Sequence, residues 1–117
     1  MTVQEVARIL DAEVLAGGNM DTEIKTACGS DMMSDVLAYV KDQAVLLTGL
    51  VNSQVIRTAE MMDMICIVFV RSKMPTPEMI ELAKESEIIL LATDKRMYEA
   101  CGILYSNGLV GNRAKNV

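Results

Sequence analysis

The chain has 117 residues, a length typical of one domain and sufficient to bury a sizeable hydrophobic core without disulfides. Its net charge of −5, with one Phe and no Trp, disfavours nucleic-acid binding, because binding phosphates needs clustered Lys and Arg. No apolar run approaches the ~20 residues of a membrane span, and no signal-peptide pattern opens the sequence, so we expect a cytoplasmic protein with no membrane partner.

The first part of the chain predicts a helix followed by two short strands. Thr2 and Glu5 form a T-x-x-E capping box, and apolar residues then recur at i, i+3, i+4 and i+7, which is typical of an amphipathic helix. The stretch "AEVLAGG" predicts a brief strand that ends at a Gly-Gly turn, and "TEIKTACG" predicts a weaker one. We expect these elements to extend or edge a sheet formed by the rest of the chain.

The next stretch, "GSDMMSDVLAYV", predicts a second amphipathic helix over residues 31–40. Ser30 is its expected N-cap, and Asp31 suits the positive end of the helix dipole. A serine nucleophile here would need a base, and the chain has no histidine. A metal site at Asp31 and Asp35 would lack further ligands nearby. We therefore interpret the stretch as a capped helix.

From Ala44 onward, three apolar strands alternate with amphipathic helices. "AVLLTG", "MICIVFV" and "IILLA" are apolar throughout, as in strands buried on both faces of a sheet. The predicted helix boundaries are Asn52 as the first N-cap, Thr76 with Pro77 at the second start, Thr93 or Asp94 as the third N-cap, and Asn107-Gly108 as the final stop. The pattern predicts two successive βαβ units with right-handed crossovers.

The predicted fold is therefore a three-layer α/β/α arrangement, with a mostly parallel sheet and a short N-terminal helix-strand extension. We expect residues 1–111 to form a single domain and residues 112–117 to be a flexible tail.

The three cysteines, Cys28, Cys66 and Cys101, are odd in number and unaccompanied by histidine. This pattern matches neither a disulfide framework nor a zinc site. Cys66 lies in an apolar strand and Cys101 in an apolar helical stripe, so both are expected to be small buried residues. We expect no metal and no cofactor.

Polar residues follow each of the three apolar strands. In open parallel sheets, ligands bind beyond the carboxyl ends of the strands, where helix N-termini converge. Hydroxyls, free N–H groups and cations there would suit an anionic ligand such as a nucleotide phosphate. The candidate ligand-binding residues are Thr48, Gly49, Asn52, Arg71, Ser72, Thr93, Asp94 and Lys95. The alternative is that they are ordinary loop and cap residues.

Four stretches together resemble the DRTGG domain over nearly the whole chain: "GSDMMSDVLAYV", "AVLLTGLVNSQVIRTAEMMDM", "IVFVRSKMPTPEMIELAKE" and "LLATDKRMYEACGILYSNGL". The chain looks most like the stand-alone proteins of this family. DRTGG domains also occur beside CBS domains in regulatory pyrophosphatases, and in some phosphate acetyltransferases. They are similar in fold to the N-terminal domain of HPr kinase/phosphorylase. The resemblance implies a non-catalytic regulatory module that dimerises and senses a small ligand or a protein partner.

By this resemblance, the motif that names the family corresponds to the stretch "MDTEIKTACGSD". Asp21, Gly29 and Asp31 agree with the motif, whereas Thr22 stands where an arginine is typical. The chain carries no P-loop motif, so the kinase chemistry of the related fold is not expected. The competing hypothesis is a phosphate-handling enzyme that uses Lys73 or Lys95 with Thr48 or Thr93.

A homodimer is expected because the chain is rich in methionine and slightly over-supplied with apolar residues. The weak N-terminal strands would leave a sheet edge that needs covering. The other candidate surfaces are a methionine-bearing face around Met61, Met62 and Met64, and a face of the last helix with Tyr98, Gly102 and Tyr105.

Overall fold

The computed structural model describes residues 1–39 and 43–111. In this part of the chain the elements are α1 (Val3–Ile9), β1 (Glu13–Ala16), β2 (Thr26–Gly29), α2 (Met33–Tyr39), β3 (Ala44–Thr48), α3 (Ser53–Met61), β4 (Cys66–Phe69), α4 (Pro77–Glu85), β5 (Ile89–Ala92) and α5 (Met97–Ser106). The strands form one sheet in the order β1-β5-β4-β3-β2. β1 is antiparallel to β5, and every other pairing is parallel.

Two apolar clusters lie on opposite faces of this sheet. Because side chains alternate along a strand, Leu46 of β3 faces the cluster that contains Val36 of α2, Ile56 of α3 and Met79 of α4. Its neighbour Val45 faces the other cluster, which α1 and α5 cover. The predicted three-layer α/β/α fold with two βαβ units is thereby confirmed, and the N-terminal strands form its two edges.

Two of the predicted helix starts are confirmed at the level of single hydrogen bonds. The Glu5 N–H donates to Thr2 Oγ1 at 3.2 Å, and the Thr2 N–H donates to Glu5 Oε1 at 3.2 Å, which completes the capping box. The Met79 N–H donates to Thr76 Oγ1 at 3.2 Å, with Pro77 at the first helical position.

Two predicted caps are wrong because the strands before them continue for one more residue. The Ser30 N–H donates to Leu47 O at 3.0 Å, so Ser30 still belongs to the sheet ladder, and α2 begins only at Met33. The Thr93 N–H likewise donates to Phe69 O at 2.9 Å. The N-cap position of α5 is therefore Arg96, not Thr93 or Asp94, and the chain needs an extra turn before the helix.

Other predicted boundaries are met in part. Asn52 occupies the N-cap position of α3, but its side chain makes no capping hydrogen bond. The strand predicted in "TEIKTACG" comprises only Thr26–Gly29, and Ile24 is buried against the α1 side of the sheet. The stop after α5 is confirmed, since Asn107 is the C-cap and Gly108 has a φ of +98°. Residue 40 and the predicted tail 112–117 lie outside the described residues.

Candidate functional site

The carboxyl ends of β2, β3, β4 and β5 meet at one edge of the sheet. Backbone hydrogen bonds join the loops that follow two of these strands, β4 and β5. The Arg71 N–H donates to Lys95 O at 2.8 Å, and the Ser72 N–H donates to Thr93 O at 3.0 Å. The loop after β4 is thus anchored to the loop after β5, with Arg71 and Ser72 held in fixed positions.

Asp31 connects the end of β2 to the end of β3. Its Oδ1 accepts a hydrogen bond from Thr48 Oγ1 at 2.9 Å and another from the Gly49 N–H at 2.7 Å. Its Oδ2 lies 3.8 Å from Nη2 of Arg71. The Gly49 N–H has the largest effect and lowers the pKa of Asp31, while burial, the next largest effect, opposes it. The Thr48 hydroxyl, the Arg71 guanidinium and the Leu50 N–H lower the pKa further, so the net shift is downward. Asp31 is therefore a carboxylate at neutral pH.

Thr48 positions Asp31, and its only O–H donor is already used by that contact. Its side chain is fully buried, and its hydroxyl donates to Asp31 while accepting from the Leu50 N–H at 3.1 Å. The hydroxyl thus lies inside the sheet edge, and a role of Thr48 in binding a ligand stays a prediction.

Arg71 lies across Gly49. A Cβ placed on Gly49 would overlap the guanidinium, at 2.8 Å from its Cζ atom. The Arg71 side chain is 46% exposed, and within the described residues its guanidinium makes no hydrogen bond. Arg71 and Ser72 have φ values of 60° and 57°, a left-handed conformation that few non-glycine residues adopt and that is enriched at functional sites.

The remaining candidate ligand-binding residues differ in accessibility. Thr93 is buried, its hydroxyl donating to Leu10 O at 2.7 Å and accepting from the Lys95 N–H at 3.3 Å. Asn52, Ser72 and Asp94 are exposed, and Lys95 is partly exposed. The edge therefore presents exposed polar groups around a buried pair of threonines.

The proposed motif residues do not come together. Asp21 lies in the loop between β1 and β2, where its N–H donates to Asn19 Oδ1 at 3.0 Å. That loop borders the starting residues of β4 and β5, because Gly18 and Thr22 line a depression with Ile65 and Ile89. Asp21 is therefore at the amino edge of the parallel strands, opposite Asp31.

Gly29 has a packing role at the end of β2. A Cβ there would lie 2.6 Å from Cys101 Sγ and 3.2 Å from Met97 Sδ. Burial raises the pKa of the Cys28, Cys66 and Cys101 thiols, so none of them is activated as a thiolate. Cys66 is buried in the sheet, as predicted, whereas Cys101, also expected to be buried, is only partly buried, as is Cys28.

Two further features of the described residues bear on function. No three His, Cys, Asp or Glu side chains in residues 1–39 and 43–111 lie close enough to hold a metal ion together. None of the helices in these ranges has the length and apolar character needed to cross a bilayer. The absence of a metal and of a cofactor stays a prediction.

Sequence reasoning missed the contact between Asp31 and Arg71, although both residues were singled out for other reasons. The available signal was positional, because each lies two residues beyond the end of a parallel strand. β2 and β4 flank β3 in the sheet, and residues at the same offset beyond parallel strands meet at the same sheet edge.

The family described as "DRTGG domain" matches residues 5–106. No curated protein sequence matches the chain significantly. Among solved structures, the chain is similar to the CBS and DRTGG domains of the regulatory region of Clostridium perfringens pyrophosphatase, complexed with the activator diadenosine tetraphosphate. The TM-score is 0.74 at 15% identity, and the match covers 88% of this chain and 45% of that one. This chain thus spans less than half of that structure's length, and the likeness is one of fold.

Proposed function

Since the chain belongs to the DRTGG domain family, we propose that it is a regulatory domain that binds a small anionic ligand at the carboxyl edge of its sheet. The observation that carries the proposal is Arg71. Its guanidinium is half exposed, held across Gly49 and free of hydrogen bonds to the described residues. A guanidinium with five available N–H donors is suited to phosphate and carboxylate groups.

Two further observations support an anion at this edge. α3 begins four residues after Gly49, and its N-cap residue Asn52 makes no side-chain capping hydrogen bond, so N–H groups at the positive end of the helix remain available. The similar pyrophosphatase region is complexed with a nucleotide activator, which is itself polyanionic.

Thermal unfolding in the presence of nucleotides and phosphorylated metabolites tests the proposal. A ligand present at ~100 times its Kd adds about 2.7 kcal/mol to the stability of a protein. We expect at least one such compound to raise the unfolding temperature of the wild-type chain and not that of Arg71→Gln. Arg57→Gln is the matched control, because it removes the same charge from an exposed position on α3. The same response in Arg71→Gln and in the wild type would refute a role for Arg71.

The competing enzyme hypothesis has less support. It requires Thr48 or Thr93 to act together with Lys73 or Lys95. Both hydroxyls are buried and already make two hydrogen bonds each, so neither is placed to attack or bind a substrate. The enzyme hypothesis would regain support if the wild type converts a ligand identified in the thermal assay and Lys95→Ala does not.

The domain also forms a homodimer through α5 in our proposal. Tyr98 is 93% exposed and Tyr105 is 64% exposed, and they flank Gly102, around which a Cβ would meet nothing within 4 Å. Exposed tyrosines around a flat glycine position favour close packing against a second copy of the same helix. The alternative methionine face is discontinuous, because Met61 is exposed whereas Met64 is buried.

Light scattering at micromolar concentration tests the dimer. We expect a mass of twice 12.8 kDa for the wild type and for Met61→Glu, and 12.8 kDa for Tyr98→Glu. A monomeric wild type would end the proposal, and a dimer lost only in Met61→Glu would move the interface to the methionine face.

A further inference from the structure

We propose that Asp31 makes this edge selective for an oxyanion that keeps a proton, such as phosphate or a phosphate monoester, over a fully deprotonated oxyanion such as sulfate. The inference rests on the proposed anion site and assigns its chemical class. Asp31 acts in it as the specificity-determining residue, and Arg71 as the residue that binds the negative charge.

The two oxygens of Asp31 have different roles. Oδ1 accepts two hydrogen bonds, from Thr48 Oγ1 and the Gly49 N–H, and these fix the carboxylate plane. Within the described residues Oδ2 accepts no hydrogen bond, and the Asp31 side chain is 50% exposed. Oδ2 is thus an oriented acceptor that is open to solvent.

A donor lies beside this acceptor. Nη2 of Arg71 is 3.8 Å from Oδ2, which is beyond hydrogen-bonding range, so each group keeps its capacity for another partner. An exposed ion pair of this length contributes only about 0–1 kcal/mol, so a ligand readily replaces it. The complementary ligand accepts from the guanidinium with one oxygen and donates an O–H to the carboxylate with another.

Phosphate and its monoesters fit that requirement, and sulfate does not. The second pKa of a phosphate monoester is about 6, so a proton is available to the bound group near neutral pH, and inorganic phosphate always carries one there. Sulfate has four acceptor oxygens and no proton, and one of them would face the Asp31 carboxylate. Carboxylates already paired with N–H and O–H donors do not take up a proton to relieve that repulsion.

Calorimetric titration with sodium phosphate and sodium sulfate, at pH 7 and equal ionic strength, tests the inference. For the wild type we expect phosphate to bind at least about tenfold more tightly than sulfate, because a site built to accept a ligand O–H rejects the analogue that lacks it. In Asp31→Asn the amide oxygen still accepts from Thr48 and Gly49, and the amide N–H₂ now faces the ligand. This variant should therefore bind sulfate more tightly than the wild type does, and its preference for phosphate over sulfate should fall below about threefold.

Asp35→Asn is the matched control, since it removes the same charge from an exposed residue one turn along the chain and should keep the wild-type preference. Thermal unfolding of each variant without ligand verifies that it is folded, and the wild-type comparison needs no variant.

Equal binding of phosphate and sulfate by the wild type would overturn the selectivity while leaving the anion site intact. A preference that survives in Asp31→Asn would overturn the role of Asp31. If the wild type binds neither ion but responds to another anion in the thermal assay, the phosphate assignment fails alone. If it responds to no anion, the proposed function fails with it.

Discussion

Thr48 and Thr93 both lie at the carboxyl edge of the sheet, yet they support different parts of the molecule. Thr48 is the last residue of β3 and Thr93 is the first residue after β5, and each is buried with a hydroxyl that both donates and accepts. Thr48 donates to Asp31, a half-exposed carboxylate of the candidate site, whereas Thr93 donates to Leu10 O, a carbonyl at the end of α1. Thr48 is in register with Ala92, one residue before Thr93, so the two threonines face opposite sides of the sheet. One therefore positions the site, and the other joins a helix to the sheet.

Replacing Thr93 should have the largest effect on stability. Thr93→Val keeps the shape of the side chain but removes the donor to the Leu10 carbonyl, and leaving a buried acceptor unsatisfied costs about 1–3 kcal/mol. Urea denaturation measures the loss, and Thr93→Ser, which retains the hydroxyl, should recover much of it. Anion binding should be unchanged. A variant as stable as the wild type would show that the bond to α1 contributes nothing.

Replacing Thr48 should cost less stability and more of the site. Thr48→Val removes one donor to Asp31 and the acceptor for the Leu50 N–H, but Asp31 is half exposed and water can substitute, so the expected cost is about 1 kcal/mol. The pKa of Asp31, followed by carbon-13 NMR of its carboxyl group, should rise because a hydrogen bond to the charged form is lost. If the pKa of Asp31 is unchanged in Thr48→Val, the Thr48 hydroxyl does not stabilise the carboxylate, and the contrast with Thr93 is lost.

Gly49→Ala should alter the site with little effect on the fold. The added Cβ overlaps only the far end of the Arg71 side chain, which can move, so we expect a loss of under about 1 kcal/mol. Displacing the guanidinium should raise the pKa of Asp31 and weaken binding of anions. Gly17→Ala, where a Cβ meets only Val14 Cγ1 at an ordinary 3.9 Å, is the control for the binding assay. Unchanged anion binding in Gly49→Ala would show that Arg71 need not lie across Gly49.

The smallest expected effect concerns acid stability. Because the folded state holds the pKa of Asp31 below its ordinary value of 3.8, the unfolded state binds the proton more readily. The contribution of Asp31 is fully present above pH 3.8 and is lost as the pH falls through its folded value. Asp31→Asn should therefore lose less stability than the wild type between pH 5 and acid, as measured by urea midpoints. Parallel pH profiles for the two proteins would contradict the lowered pKa.

The regular elements were predictable because their signals are local. The apolar runs of β3, β4 and β5 and the helical spacing between them predicted the βαβ units, and the capping groups of α1 and α4 were found from residues three positions apart. The starts of α2 and α5 were misjudged at Ser30 and Thr93. Both residues are good N-caps by type, but the neighbouring strands extend the sheet ladder through them.

What the sequence determined by itself is the layered α/β framework, since strand and helix periodicities are properties of consecutive residues. What only the tertiary structure decided is the composition of the site. Asp31 meets Thr48 across 17 positions, and Thr93 meets Leu10 across 83, while Asp21 is carried to the opposite edge of the sheet. Thr48 and Thr93 acquire different partners because an offset of one residue in the sheet register turns their side chains to opposite faces, each covered by a different helix layer.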